Sequence, residues 1–272
     1  MDASTRVATE ESNARSTVVE CSNVSREYER GGGGSWLPFV GDESGERPTV
    51  KALDDVSLGI ERGEFVGLSG PSGSGKSTLI HLLAGLDAPT SGTVTLAGED
   101  VASLSQKRLT RLRLEQVGIV FQRFHLLPSL SARANVALPL VERGVPKRER
   151  RERAASLLER VGLGERQTHR PGELSGGEQQ RVAVARALAG DPLVVFADEP
   201  TGELDTDTGE RILDLLADLA TDRSVVLASH DQRALDRTDR VIRLVDGRRQ
   251  DDAVVKRRDD AAVRRQDGSQ DG

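Results

Sequence analysis

Gly70-Pro71-Ser72-Gly73-Ser74-Gly75-Lys76-Ser77-Thr78 fits the phosphate-binding pattern G-x-x-x-x-G-K-[ST], with Gly70, Gly75, Lys76 and Ser77 at its fixed positions. Three needs set that spacing. The glycines let the backbone turn with its N–H groups inward, making a nest for phosphate oxygens along Ser72, Gly73 and Ser74. The chain then enters a helix, at Ser77 and Thr78, whose free N–H groups and dipole also favour an anion. Lys76 reaches the β- and γ-phosphates of a bound nucleotide, and the Ser77 hydroxyl can ligate Mg²⁺. The neighbours agree: Phe65-Val66-Gly67-Leu68-Ser69 reads as a buried strand and Thr78 to Leu86 as an apolar helix. A surface lysine in a glycine-rich turn would not need that strand-loop-helix frame. The stretch reads as a nucleoside triphosphate site.

The chain has 272 residues, room for one α/β domain with a second lobe. Aromatics are only 3%, so the core must rest on Val, Leu, Ile and Ala. A formal net charge of −6 argues against a sequence-independent nucleic-acid binder. The single cysteine, Cys21, forbids an internal disulfide and points to a reducing compartment. Met1 to Ser16 lacks the apolar stretch of a signal peptide, and no apolar run reaches the ~18 residues that span a bilayer. A soluble, cytosolic protein is expected.

Along the chain, residues 1–16 read as a disordered tail and Thr17 to Cys21 as a first strand leading to Tyr28. A glycine-rich insertion follows at 31–48, read as loop, with Trp36, Leu37, Phe39 and Val40 inside it. Leu53 to Ile60 reads as a second strand, before the strand that feeds the phosphate loop. Thr93 to Leu96 alternates like a strand; Leu104 to Gln116 is basic and amphipathic; Gly118 to Phe121 is a short buried strand ending at Gln122. From about 123 to 171 strand signals vanish, and a helical subdomain is expected. Its run Lys147-Arg148-Glu149-Arg150-Arg151-Glu152-Arg153 alternates in sign and continues into Ala154, Leu157 and Leu158 at helical spacing, so it reads as a solvated helix with internal ion pairs. A helix is expected over Gly176–Leu188 and another over Ile212–Leu219. Strands are expected at Leu193–Ala197, Val225–Ala228 and Val241–Val245, and a disordered charged tail over 250–272. Strands alternating with helices predict a mostly parallel sheet covered on both faces.

Two further stretches bear on chemistry. Asp198-Glu199 ends an apolar strand, where a carboxylate can hold Mg²⁺ and its neighbour can orient and deprotonate a water. Such acidic pairs are common at strand ends; only the phosphate loop gives this one weight. Leu174-Ser175-Gly176-Gly177-Glu178-Gln179-Gln180-Arg181 opens a helix and makes a second anion-binding N-terminus. Its plain alternative is a capping box, Ser175 with Glu178. That alternative leaves unexplained why a chain with one phosphate loop carries a second phosphate-type site.

Taken together, the Gly70–Thr78 loop, Gln122, Leu174–Arg181, Asp198-Glu199-Pro200-Thr201, Leu204-Asp205 and Ser229-His230-Asp231 resemble the ATP-binding-cassette (ABC) transporter ATPases, from about Val18 to Gly247. Gly85-Leu86-Asp87 with Pro89-Thr90-Ser91-Gly92, Phe121-Gln122 with Phe124 and Leu126-Leu127-Pro128, and His169 with Pro171 and Glu173-Leu174 are similar to the lipoprotein-release and macrolide-export subfamily. The resemblance implies the P-loop NTPase ABC-ATPase fold: a mostly parallel core sheet, an antiparallel β part on the N-terminal side and an inserted α-helical subdomain, together filling residues 17–249. It implies ATP and Mg²⁺, with Ser77, Gln122 and Asp198 at the metal. It also implies a head-to-tail dimer in which each ATP lies between one copy's phosphate loop and the other's Ser175, Gly176, Gly177 and Glu178. Glu199 would polarise the water, His230 would contact the γ-phosphate, Gln122 would sense metal and water, and Tyr28 would stack on adenine. Asp205 would lie at the dimer seam, and a separate membrane permease would receive the motion on the inner face of the membrane. Glu203 stands where the family commonly has Asn or a small residue, Glu178 where it has Gln, and His125 where it has Asn. A regulatory ATPase acting on a membrane partner without transport is the main alternative. Two-cassette ATPases of translation or repair and small-molecule phosphotransferases fit less well.

Overall fold

The computed structural model describes residues 16–29 and 49–250. Apart from Ser16 and Gln250, the two tails lie outside the described residues, as does the glycine-rich insertion at 31–48. In chain order the elements are β1 (Thr17–Glu29), β2 (Thr49–Glu61), β3 (Phe65–Ser69), α1 (Lys76–Leu83), β4 (Ser91–Leu96), β5 (Glu99–Asp100), α2 (Gln106–Gln116) and β6 (Val117–Val120). Then come α3 (Ala132–Glu142), α4 (Lys147–Arg160), α5 (Gly176–Leu188), β7 (Val194–Asp198), α6 (Thr206–Leu219), β8 (Ser224–Ala228), α7 (Gln232–Leu235), β9 (Arg240–Val245) and β10 (Arg248–Arg249). Among the described residues no helix is long and apolar enough to cross a membrane.

One sheet runs β10-β9-β3-β8-β7-β6, parallel except for the terminal β10; the other runs β2-β1-β4-β5 and is antiparallel. The parallel strands show why continuous apolar runs were required. Val66, Leu68, Val194, Phe196, Val226 and Ala228 join one core, with α1 and the antiparallel sheet. Phe65, Val195, Ala197, Val225 and Leu227, which alternate with them along the strands, join the other, with α3 to α6. Successive side chains of a strand face opposite ways, so a sheet covered on both faces must be apolar at every position. Phe65 and Phe196 are the two largest fully buried side chains, one on each face, and such a side chain is worth about 1.5–3 kcal/mol of burial. The helices of 132–160 do not form a core of their own. Val136, Leu140, Leu157 and Leu158 share one apolar cluster with the sheet face beneath α5. α4 is the solvated helix that its charges predict, with Arg148 Nε 2.9 Å from Glu152 Oε1 one turn on.

The differences from the sequence reading lie at element ends. β1 continues to Glu29 because β2 pairs with it across bulges, Glu29 opposite Thr49, although its far end is polar. β6 stops at Val120 and leaves Phe121 and Gln122 outside the strand. α1 begins at Lys76, two residues earlier than the apolar pattern, and α6 begins at Thr206, where Asp205 caps it through a bond from the Thr208 N–H.

Cys21 sits in β1 at 1% exposure, its Sγ donating to the Val56 carbonyl at 3.7 Å. Burial pushes its thiol up to about 11. Cys21 is therefore expected to resist a disulfide reagent in the native protein at about pH 8 and to react fully once denaturant is added, read by thiolate release. Rapid native labelling would contradict this packing.

Candidate functional site

The parallel strands β3, β7 and β8 end on one edge. Ala228 is opposite both Leu68 and Asp198, so the residues that follow each strand emerge side by side. In open α/β sheets this carboxyl edge is where ligands bind. After β3 comes the phosphate loop, β7 ends on Asp198 with Glu199 directly after it, and after β8 come Ser229-His230. Here they border one cleft of about 530 Å³, lined by Ser72 to Thr78, Ala52, Gln122, Glu199 and His230.

Gly75 precedes α1 with φ +101°, and a Cβ there would stand 2.5 Å from the Ala52 carbonyl oxygen, so the turn into the helix admits only glycine. The loop wraps over Lys76, whose buried Nζ donates to the carbonyls of Gly70 at 2.8 Å and Pro71 at 3.2 Å. The buried Ser74 hydroxyl has no protein partner. Across the cleft, Glu199 stands between two cationic or protonatable groups: its Oε1 is 4.0 Å from Lys76 Nζ and its Oε2 is 3.0 Å from His230 Nδ1. Glu199 has φ +45°, a left-handed backbone that costs a non-glycine residue about 1–3 kcal/mol and is concentrated at functional sites. Its N–H donates to the Ala228 carbonyl at 2.9 Å, which tethers it to β8. Asp198 lies just behind. Burial pushes its carboxyl above the usual range, with the Ser77 hydroxyl pulling the other way, and its Oδ1 is buried without a hydrogen-bond partner.

Ser175, Gly176, Gly177 and Glu178 do not line this cleft. They open α5 as a full capping box: Ser175 Oγ accepts from the Glu178 N–H at 3.2 Å, and Glu178 Oε2 accepts from the Ser175 N–H at 2.8 Å. The Ser175 N–H, by donating to it, holds the Glu178 carboxyl below the usual range. Gly177 packs so closely on α6 that a Cβ would fall 2.1 Å from Thr208 Cγ2. The capping role and an anion-binding role use different groups, since the other N–H groups of the first turn stay free.

Tyr28 also lies outside the cleft lining. Its hydroxyl donates to Asp87 Oδ2 at 2.9 Å, and the Arg26 guanidinium lies 4.5 Å from its ring centroid while bonding Asp87 Oδ1 at 2.9 Å. The residue is 38% exposed. Glu203, the extra negative charge near Asp205, faces Arg123 Nε at 3.8 Å. His125 has φ +47°, a left-handed backbone in which His and Asn are both enriched.

Two supports of the Gln122 loop were not foreseen. Asn135, fully buried in α3, accepts from the Leu127 N–H at 2.7 Å and donates to the carbonyls of Leu127 and Leu130 at 3.1 Å each. Arg186 of α5 donates to the carbonyls of His125 at 2.6 Å and Phe124 at 2.9 Å. Both are polar residues inside helices, and nothing in their sequence spacing tells which carbonyl they meet.

The ABC transporter family profile matches residues 53–202, more than half of the chain. An ABC transporter ATP-binding protein of Thermotoga maritima is 51% identical over 200 residues, which are 73% of this chain and 86% of the relative. A macrolide export ATP-binding/permease protein, MacB, of Hyphomonas neptunium is 53% identical over 200 residues, but this chain spans only 31% of its length. Among solved structures, the ATP-binding cassette MJ0796, a dimer in a post-hydrolysis state bound to ADP and Pi, is 38% identical with a TM-score of 0.77, over 88% of this chain and 99% of that one. A profile that takes in both the phosphate loop and the strand-end carboxylates, and relatives half identical over most of the chain, place this protein in the ABC transporter family, as an ATP-binding cassette with the P-loop ATPase fold.

Proposed function

We propose that two copies of this chain close head to tail over two ATP molecules, hydrolyse them, and pass the motion to a separate membrane permease of export or lipoprotein-release type. The observation that carries this reading is that the cleft of one copy holds the phosphate loop, Gln122, Glu199 and His230 but not Ser175, Gly176, Gly177 or Glu178. A second copy supplies them. The loop N–H groups from Ser72 to Thr78, with Gly70 shaping the turn, and the Lys76 ammonium hold the phosphates. Tyr28 offers its exposed ring to adenine. Glu199 accepts a proton from the attacking water and orients it, with His230 at the γ-phosphate and Gln122 at the water.

The residues fit Mg²⁺. Among the described residues no group of three or more His, Cys, Asp or Glu makes a self-sufficient cage. The donors here are hard oxygens in a sparse set, the Asp198 carboxylate with its unpartnered buried Oδ1, the Ser77 hydroxyl and the Gln122 amide. Such a set leaves coordination to phosphate oxygens and water, as Mg²⁺ prefers. When bound, Mg²⁺ would neutralise charge on the β- and γ-phosphates. The raised Asp198 carboxyl gives a further prediction. A carboxylate with a raised folded-state value lends its stability at low pH and loses it as pH rises from the unfolded value of 3.8 through the folded one, so at neutral pH ionised Asp198 burdens the metal-free protein. Asp198→Asn is expected to raise the metal-free Tm and to erase the extra stabilisation that Mg²⁺ adds to ATP, both read by calorimetry. A variant stabilised by Mg-ATP like the wild type would contradict the metal role.

A mostly apolar groove of about 350 Å³ between α2, β6, α3 and α5, lined by Leu86, Val117, Phe121 and Pro139 among others, gives the permease a seat next to Gln122. In this reading the protein sits at the inner face of the membrane through that partner. Tagged protein recovered from its own membranes is expected to bring down a permease with few spans and a large extracytoplasmic domain, identified by mass spectrometry. Ribosomal or DNA-repair partners without a permease would overturn the transport reading.

A further inference from the structure

Gln180 is the fifth residue of α5, the helix that Ser175 caps, and it is fully buried. A buried amide is retained where its hydrogen bonds are used. Its Nε2 donates to the Pro200 carbonyl at 2.6 Å and to the Phe121 carbonyl at 3.3 Å. Pro200 follows Glu199, and Phe121 precedes Gln122. Both carbonyls lie just past the ends of their strands, β7 at Asp198 and β6 at Val120, where the ladder no longer fixes the backbone. One side chain therefore holds the main chain beside two of the groups that face the cleft.

The turn after Glu199 has reason to be held. Glu199 has a left-handed φ of +45°, and such a residue persists only where its surroundings over-determine it. On one side its N–H is tied to Ala228, and its own carbonyl accepts from the Gly202 N–H at 3.1 Å. The next carbonyl, that of Pro200, rests on Gln180. The two loops also touch here, since a Cβ on Gly202 would stand 3.1 Å from Gln122 Nε2. The N–H end of the amide suits the place, although its Oε1 is buried without a hydrogen-bond partner: its two N–H groups match two carbonyls, an apolar side chain would leave both unpaired, and a carboxylate would turn lone pairs toward them.

We propose that Gln180 is a positioning residue for ATP hydrolysis, setting the Glu199 and Gln122 loops against each other through one amide. The inference rests on the ATPase reading above. The test is steady-state ATP hydrolysis by the full chain and its Gln180→Met variant, which keeps side-chain length and removes the donors, with Tm measured alongside. The expected result is a kcat at least about tenfold lower, with KM for ATP within about threefold of wild type, because misplacing the reacting groups costs rate rather than ground-state binding. A folded variant with kcat within about twofold of wild type, or one whose whole loss appears in KM, would overturn it. Should Gln180→Met not fold, Gln180→Asn, whose amide sits on a stem one methylene shorter, is held to the same criteria. Glu199→Gln separates the two readings. If wild type does not hydrolyse ATP, the ATPase reading falls and this inference with it; if Glu199→Gln hydrolyses it at the wild-type rate, the role of Glu199 falls, and with it the inference that Gln180 positions it. If wild type is active, Glu199→Gln is dead and Gln180→Met is normal, the Gln180 inference alone falls.

Discussion

Glu199→Gln is expected to lower ATP turnover by about 100- to 10,000-fold while leaving the affinity for ATP nearly unchanged, the loss typical of removing a positioned general base. The substitution keeps the size of the side chain and one acceptor oxygen, so the backbone at φ +45° and the tether to Ala228 should survive. What it removes is the charge and basicity between Lys76 Nζ at 4.0 Å and His230 Nδ1 at 3.0 Å. Single-turnover measurements separate this from slow product release, because a lost base slows the first turnover as much as later ones. Unchanged turnover would remove Glu199 from the chemistry and leave its strained backbone without a function.

Lys76→Ala carries the second large effect. Lys76 is 8% exposed and its ammonium is held by two loop carbonyls, so the loop has organised a cation in the lining of the cleft before any ligand arrives. Truncating one partner of a desolvated charge pair costs about 2–5 kcal/mol, so ATP affinity should fall by at least about 30-fold, measured by titration calorimetry. The carbonyls of Gly70 and Pro71 lose their partner as well, so a lower Tm should accompany the loss. ATP bound within about threefold of wild type would mean that the phosphates lie elsewhere.

The sequence could show the parts of this site that depend on local chain geometry. The phosphate loop is readable because Gly75 must take a backbone that other residues avoid, and because strand and helix flank it. The central strands are readable because burial on both faces demands an unbroken apolar run, as in Val194 to Ala197. The capping box at Ser175 and Glu178 follows from spacing alone. What spacing could not show are contacts made across the fold. Gln180, Asn135 and Arg186 look like any polar residue on a helix, and only the packing of α5 and α3 against the strand ends gives them carbonyls to hold. Tyr28 is of the same kind: its partners Arg26 and Asp87 meet it because β1 runs longer than its apolar pattern suggests.

If one copy holds only part of the site, the molar mass of the Glu199→Gln protein by light scattering must change when Mg-ATP is added. The expected result is a monomer that becomes a dimer when Mg-ATP is added and returns to monomer with Mg-ADP. A monomer that binds Mg-ATP with full affinity and never dimerises would contradict it, since Ser175, Gly176 and Gly177 would then have no nucleotide to meet.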